Sequence, residues 1–255
     1  MAIFKHDIPI LEYDDNPCAL IRNDRHPEIS FPERAVFAFL GDTIPRYAEG
    51  HGAQILDVFQ TITGGTPIYR IEYQGKAVCL CRAPLGAPAA VQILDWLIGR
   101  GVRSVICAGS CGALVPLPEN TFLIPAMALR DEGTSYHYLP PARFVEIPMQ
   151  ARSIIQQVLT AKGLKCTECV TWTTDAFFRE TKEMVALRRE EGCSTVEMEC
   201  AALAACAQFR GALFGQLLYT ADSLADATNY DERDWGMDSL EPALSLCLDI
   251  AINLP

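Results

Sequence analysis

No apolar stretch in this sequence approaches the roughly 18 residues that span a bilayer, so no membrane helix is expected. Positive charge is scarce: 21 Lys and Arg stand against 32 Asp and Glu, for a net charge of −11. A surface that tracks nucleic-acid phosphates needs the opposite balance, which excludes nucleic acid as a partner but not a small anion held by local donors. His137 has no His or Cys at ligand spacing, so no metal is expected there. Residues 1–15 lack the apolar core and small-residue cleavage site of a secretory leader, and a cytoplasmic location is expected. Repeats and low-complexity segments are absent. So is the dinucleotide fingerprint: the turn Gly109, Ser110, Cys111, Gly112 has neither the third glycine nor the downstream ribose acid of that motif.

Cysteine, by contrast, is plentiful and odd in number, at 11. Cys79, Cys81 and Cys107 lie in strand-like runs and Cys200 and Cys206 in an apolar helix, which suits buried reduced thiols. Cys166 and Cys169 have redox or metal spacing, but no second pair accompanies them and no function is assigned to them. With 255 residues, 50% hydrophobic and 21% charged, the chain can bury one sizeable core.

Residues 1–30 are rich in Pro, Asp and Asn without a clear period, and read as an arm ahead of one domain over 31–255. The apolar run 35–40 ends at Gly41 and Asp42 and leads into a helical stretch: strand, turn, helix. A hairpin follows, with strands over 68–73 and 76–81 around Gln74 and Gly75. Helices are expected over 89–99, 153–162 and 240–252, and strands over 103–108, 121–129 and 213–219. Segment 130–138 is a dense polar loop around His137, a structural or substrate-contacting residue. Segment 171–181 reads as a loop carrying Phe177 and Phe178, and 226–238 as a mobile flap or a helix start. This order predicts an α/β fold with a mixed sheet and helices on both faces.

Two acidic stretches stand out. Glu197 and Glu199 open an Ala- and Leu-rich helical run with almost no other charge, and burying a carboxylate there costs several kcal/mol unless it is paired. The apolar strand ending at Tyr219 runs into a small-residue turn that presents Asp222, and ligands of α/β proteins bind at such carboxyl ends. One acid is placed to hold hydroxyls, the other to give or take a proton. The alternative is a capping acid and a solvated loop acid. Ser110 and its flanking N–H groups suit an oxyanion or a sugar hydroxyl.

Taken together, residues 109–112, Asp175 to Phe177, Val196 to Glu199 and Ala221 with Asp222 resemble, in order and spacing, the superfamily of purine nucleoside phosphorylases, uridine phosphorylases and methylthioadenosine/adenosylhomocysteine nucleosidases. The resemblance implies a single α/β/α domain around a mixed, partly barrel-like sheet, assembled as a homodimer or hexamer. It implies cleavage of a nucleoside's N-glycosidic bond without a cofactor, to free base and ribose 1-phosphate. By the same resemblance Glu199 binds the ribose hydroxyls with Met198 under the sugar, Phe177 stacks on the base, and Asp222 is the general acid. Glu197, Ser110 and Gly112 complete the substrate site. A carboxyl at a partly apolar strand end has a raised pKa and can donate near neutrality, and an anion near the ribose favours positive charge developing on the sugar.

Two departures from the pattern matter. Thr181 and Glu183 stand where uridine-cleaving members read uracil with Gln and Arg, and those members lack an acid at the place of Asp222, which tilts the base toward a purine. Phosphorylases also gather three arginines on phosphate, and the aligned positions are Cys107, Gly64 and Pro45. Arg46 follows one residue late, about 100° around a helix, and Arg82 is a substitute donor. Gly41, Asp42, Arg46, Arg82 and Ser110 are therefore the expected phosphate or water site. Inorganic phosphate is the co-substrate if these arginines compensate. Otherwise the chain is a hydrolytic nucleosidase, with Asp42 the acid nearest the Gly41 turn. A non-catalytic nucleoside-binding member is the further alternative. His6 in the arm is a surface histidine or completes a neighbour's site.

Overall fold

The structure, a computed structural model, describes residues 3–24, 30–165, 167–226 and 228–255. In chain order the elements are β1 (Arg34–Ala38), α1 (Thr43–Gly50), β2 (Gln54–Thr61), β3 (Gly64–Tyr73), β4 (Lys76–Arg82), α2 (Ala87–Gly99), β5 (Ser104–Ala113), β6 (Phe122–Asp131), β7 (Phe144–Glu146), α3 (Met149–Ala161), β8 (Thr167–Thr174), α4 (Lys182–Glu190), β9 (Thr195–Glu197), α5 (Cys200–Arg210), β10 (Leu213–Ser223) and α6 (Leu240–Ala251). The strands form one mixed sheet in the order β10-β6-β8-β9-β5-β1-β4-β3-β2, with β7 beside β6. A second pairing of β10, with β5, closes β10, β6, β8, β9 and β5 into a barrel, and β1, β4, β3 and β2 continue from it as an open wing. The expected α/β/α domain with a partly barrel-like sheet is what the chain forms.

Apolar residues of alternating parity split the core into two layers. Val105 and Cys107 of β5 and Phe214 of β10 pack with α2 and α5 on one face. Ile106, Ala108, Leu217 and Tyr219 pack with α1, α3 and α6 on the other. The β3–β4 hairpin turns at Gln74 and Gly75, both at positive φ (48° and 76°), the twist that a two-residue hairpin turn requires.

Three stretches differ from expectation. Residues 109–112 are strand, not turn, because β10 and β9 pair with β5 as far as Ala113. Segment 171–181 is not one loop. Its first half belongs to β8, where Thr171, Thr173 and Thr174 are buried in the barrel wall, and only Phe177–Arg179 form a short 3-10 turn. The polar helix α4 follows, with the Thr181 side chain accepting the Met184 N–H (3.3 Å) as its N-cap. Segment 226–238 ends in a helix start, a 3-10 turn at Met237–Ser239 leading into α6.

Cysteine and loop expectations also find their places. All ten cysteines among the described residues are free, and only Cys18 is exposed; Cys166 lies outside the described residues. The polar loop around His137 is a structural network. Arg130 donates to Ser135 Oγ (2.9 Å), Pro140 O (2.7 Å) and Leu139 O (3.1 Å), while His137 itself is exposed.

The arm is fastened to the body by one buried acid. Asp95, on α2, accepts both Arg210 Nε (2.9 Å) and Nη2 (3.0 Å), the Tyr138 hydroxyl (2.9 Å) and the Asn23 amide (2.5 Å). Arg210 also donates to Pro17 O (2.7 Å). Gly99 leaves room for the arm, since a Cβ there would meet Asn23 O at 2.6 Å. Removing one partner of a buried ion pair strands the other charge, at about 3–5 kcal/mol. Arg210→Ala is expected to lower the urea unfolding free energy by about 3 kcal/mol and to expose the arm to protease. Unchanged stability would show that Asp95 does not need its arginine.

Candidate active site

The site grows from the junction of β9 and α5. Glu197 ends β9 inside the barrel. Its Oε2 accepts the Glu199 N–H (2.7 Å) and the Cys200 N–H (2.6 Å), the first free donors of α5. Its Oε1 accepts the Thr173 hydroxyl (2.6 Å) and, at 3.4 Å, that of Thr171. Burial raises the Glu197 carboxyl above its ordinary value, and these four donors oppose that shift. The capping alternative raised by the sequence describes Glu197, although it also borders the cavity described next.

Glu199, two residues on, turns the other way and accepts the Gly86 N–H at 2.5 Å. Burial and then the Glu197 charge push its carboxyl up to about 8, against the pull of the Gly86 and Met198 N–H groups. Asp222 stands where β10 leaves β5, at a register shift between Thr220 and Ser223. Gly112 faces it: a Cβ there would lie 3.3 Å from Asp222 Oδ1 and 3.0 Å from Val196 and Leu224. Burial raises the Asp222 carboxyl, opposed by a hydrogen bond from Tyr230 and the Arg233 charge. Arg233 ties this segment down by donating to Leu117 O (2.8 Å) and Ala221 O (3.3 Å).

Glu197, Glu199, Gly112, Asp222 and Tyr230 border one cavity of about 1080 Å³. Of the sequence-predicted site residues it brings together Asp222, Glu199, Glu197, Met198, Phe177, Ser110 and Gly112. Phe177 packs against Phe178 with ring centroids 4.0 Å apart. Gly41, Asp42, Arg46 and Arg82 are not on its wall. Arg82 donates to Asp42 (2.8 Å) in an exposed pair, which leaves Asp42 without a capping bond to α1. Arg46 is exposed, 4.0 Å from Glu241. His6 is exposed as well, its Nδ1 accepting the Ile8 N–H (2.9 Å).

Sequence reasoning missed several wall residues. Glu180 lies between Phe178 and the N-cap of α4, and burial together with the Asp222 charge raises its carboxyl to about 7. An acid wedged between two aromatics and a helix cap was the available signal. Gln216 is the one polar side chain in the run 213–218, and a polar residue at an inward position was again visible. Tyr230 and Trp235 arrive from the segment after β10 and carried no signal. Among the described residues the wall holds Glu180, Glu183, Glu197, Glu199, Asp222 and Asp226 against one cation, Lys182.

A family model described as the phosphorylase superfamily matches residues 33–253. A DeoD-type purine nucleoside phosphorylase of Bacillus cereus (strain ZK / E33L) is 27% identical over 188 residues, which cover 71% of this chain and 78% of that protein. Among solved structures, a uridine phosphorylase from Vibrio fischeri ES114 superposes with a TM-score of 0.76 at 20% identity, over 91% of this chain and 98% of its own. An AMP nucleosidase from Bacteroides thetaiotaomicron VPI-5482 gives 0.72 at 22%, over 91% and 95%. These structures share the fold.

The raised carboxyls make stability depend on pH. Glu199 and Glu180 hold protons in the folded chain that the unfolded chain, near its ordinary value of 4.5, has released. Their contribution is complete below that value and is lost as pH rises through about 7 and then about 8. The melting temperature is expected to fall between about pH 5 and pH 8.5. Glu199→Gln, which cannot ionise, should flatten that fall and raise the melting temperature at the alkaline end by roughly 5 °C. Identical slopes for the two proteins would contradict the burial of this carboxyl.

Proposed function

The chain belongs to the phosphorylase superfamily, and from that premise we propose that it cleaves the N-glycosidic bond of a purine-type nucleoside with water as the acceptor. The observation that carries this reading is a single cavity bordered by Asp222, Glu199, Met198 and Phe177 whose wall, among the described residues, includes no arginine. Glu199 accepts the ribose hydroxyls, Met198 lies under the sugar and Phe177 covers the base. Asp222, its carboxyl raised by burial, gives a proton to a ring nitrogen as the C–N bond breaks, so that the base departs neutral. Glu180 and Asp222 at the base end, and Thr181 and Glu183 in place of the uracil readers of uridine-cleaving relatives, support a purine over uracil.

The donors on the wall bear on the acceptor. A phosphate dianion entering it finds, among the described residues, one lysine and no bidentate guanidinium partner. Water needs no such partner. The names of relatives favour a second reading, phosphorolysis to ribose 1-phosphate, with phosphate held by Ser110 and reached by Arg46 or Arg82 from outside the wall. Phe178, which lines the cavity yet is 88% exposed, supports an assembly, dimeric or larger, that covers it.

Release of free base from adenosine, inosine, guanosine and uridine, followed with and without phosphate, tests the reading. The expected result is purine release at equal rates in both buffers, with Asp222→Asn slower by about 100-fold or more. Release only with phosphate would establish phosphorolysis. Equal, slow release by the wild type and Asp222→Asn would leave a binding protein.

A further inference from the structure

The middle of β10 carries one buried group that none of the described residues satisfies. Gln216 is 2% exposed, it borders the cavity, and its amide Oε1 has no hydrogen-bond partner. A buried carbonyl oxygen left without a donor costs free energy, and an apolar side chain of the same shape would remove that cost. In a strand otherwise apolar from Leu213 to Leu218, such a residue points to a ligand that supplies the missing donor.

Its place in the cavity says which ligand. Gln216 stands six residues ahead of Asp222 on the same strand, on the order of 20 Å at the usual strand rise. The parallel register sets it beside Cys107, whose thiol feels the Glu199 charge. Along β10, Asp222 therefore stands at the carboxyl end, the base end on the proposed reading, and Gln216 toward the start of the strand, beside Cys107. A nucleophile replacing the base attacks the anomeric carbon from the face opposite the departing ring, which is the end away from Asp222. A carboxamide offers one acceptor and two donors with no net charge. It can orient a water molecule but cannot balance a phosphate dianion.

We propose that Gln216 holds the attacking water, its Oε1 accepting one water O–H so that a lone pair faces the anomeric carbon. This rests on the hydrolytic reading above. In the step, the water oxygen bonds to the anomeric carbon while the C–N electron pair leaves with the base. The base takes its proton from Asp222. The added water sheds a proton to solvent, and Asp222 regains one from solvent, so nucleoside plus water gives ribose plus base.

Gln216→Met keeps the shape and removes the amide; Gln216→Asn keeps the amide and shortens its reach. For the wild type and both variants, kcat for purine release is measured in phosphate-free buffer. Binding of a C-nucleoside, whose carbon–carbon glycosidic bond resists cleavage, is measured by calorimetry, and melting temperature is recorded alongside. The expected result is a fall in kcat of about 10- to 100-fold in both variants, with C-nucleoside affinity unchanged. The melting temperature of Gln216→Met should equal or exceed that of the wild type, since no hydrogen bond of the free protein is lost. A kcat equal to wild type, or a loss of C-nucleoside affinity that matches the loss of activity, overturns the assignment while leaving hydrolysis intact. Should the wild type itself release base only with phosphate, the hydrolytic reading fails first and takes the water site with it.

Discussion

One buried carboxylate determines where the others go. Glu197 receives the Glu199 and Cys200 N–H groups and the Thr173 hydroxyl, and so joins the end of β9, the start of α5 and the wall of β8. A helix N-terminus is a favourable place for a negative charge, since its free N–H groups and its dipole both point there. Ordering those groups also fixes the backbone of Glu199, one residue before the helix, in a non-helical conformation (φ −140°). From there its side chain accepts the Gly86 N–H, ahead of α2. The Ala201 N–H completes the knot by donating to Thr173 Oγ1 (3.0 Å).

The barrel closure supplies the opposing wall. Because β10 pairs with β5 as well as β6, its carboxyl end must leave the sheet beside Gly112, and that exit carries Asp222 to the same cavity as Glu199. Glycine at 112 eases this approach, since a Cβ there would lie 3.0 Å from Val196 and Leu224 and 3.3 Å from the carboxylate. The two acids thus arrive from opposite sides, one placed by a helix cap and the other by a strand that runs out of partners.

The parts of this arrangement visible in the sequence were those with local chemistry. The hairpin at Gln74 and Gly75, the acids at 197, 199 and 222, and the strand leading to Asp222 each announce themselves within a few residues. Resemblance to a known superfamily then supplied the closure that no local pattern contains. What local reading missed had non-local causes. Thr171, Thr173 and Thr174 of β8 look like a polar loop until β6 and β9 bury them on either side. The turn over 109–112 becomes strand only because two distant strands pair along it. Arg82 looked like an anion donor, but Asp42, forty residues earlier, already holds it. Gln216 was legible in principle, as a polar residue at inward parity, but its meaning depends on which strands face it.

Collecting so many acids around one cavity has a cost in stability, and the same cost bears on catalysis. In the free protein Glu199 keeps its proton up to about pH 8, because burial and the neighbouring Glu197 charge both oppose ionisation. Two ribose hydroxyls donating to that carboxyl favour the anion instead, since hydrogen bonds to the charged form lower a pKa. On the proposed reading, substrate binding therefore releases a proton and creates the negative charge beside the sugar only once a nucleoside covers it. The charge then faces the positive character that develops on the ribose as the base leaves, in a site from which solvent has been displaced. An arginine cluster at the acceptor end would work against this. It would favour ionised Glu199 in the free protein and offset part of the field acting on the sugar. A neutral amide at that end leaves the coupling between binding and ionisation intact.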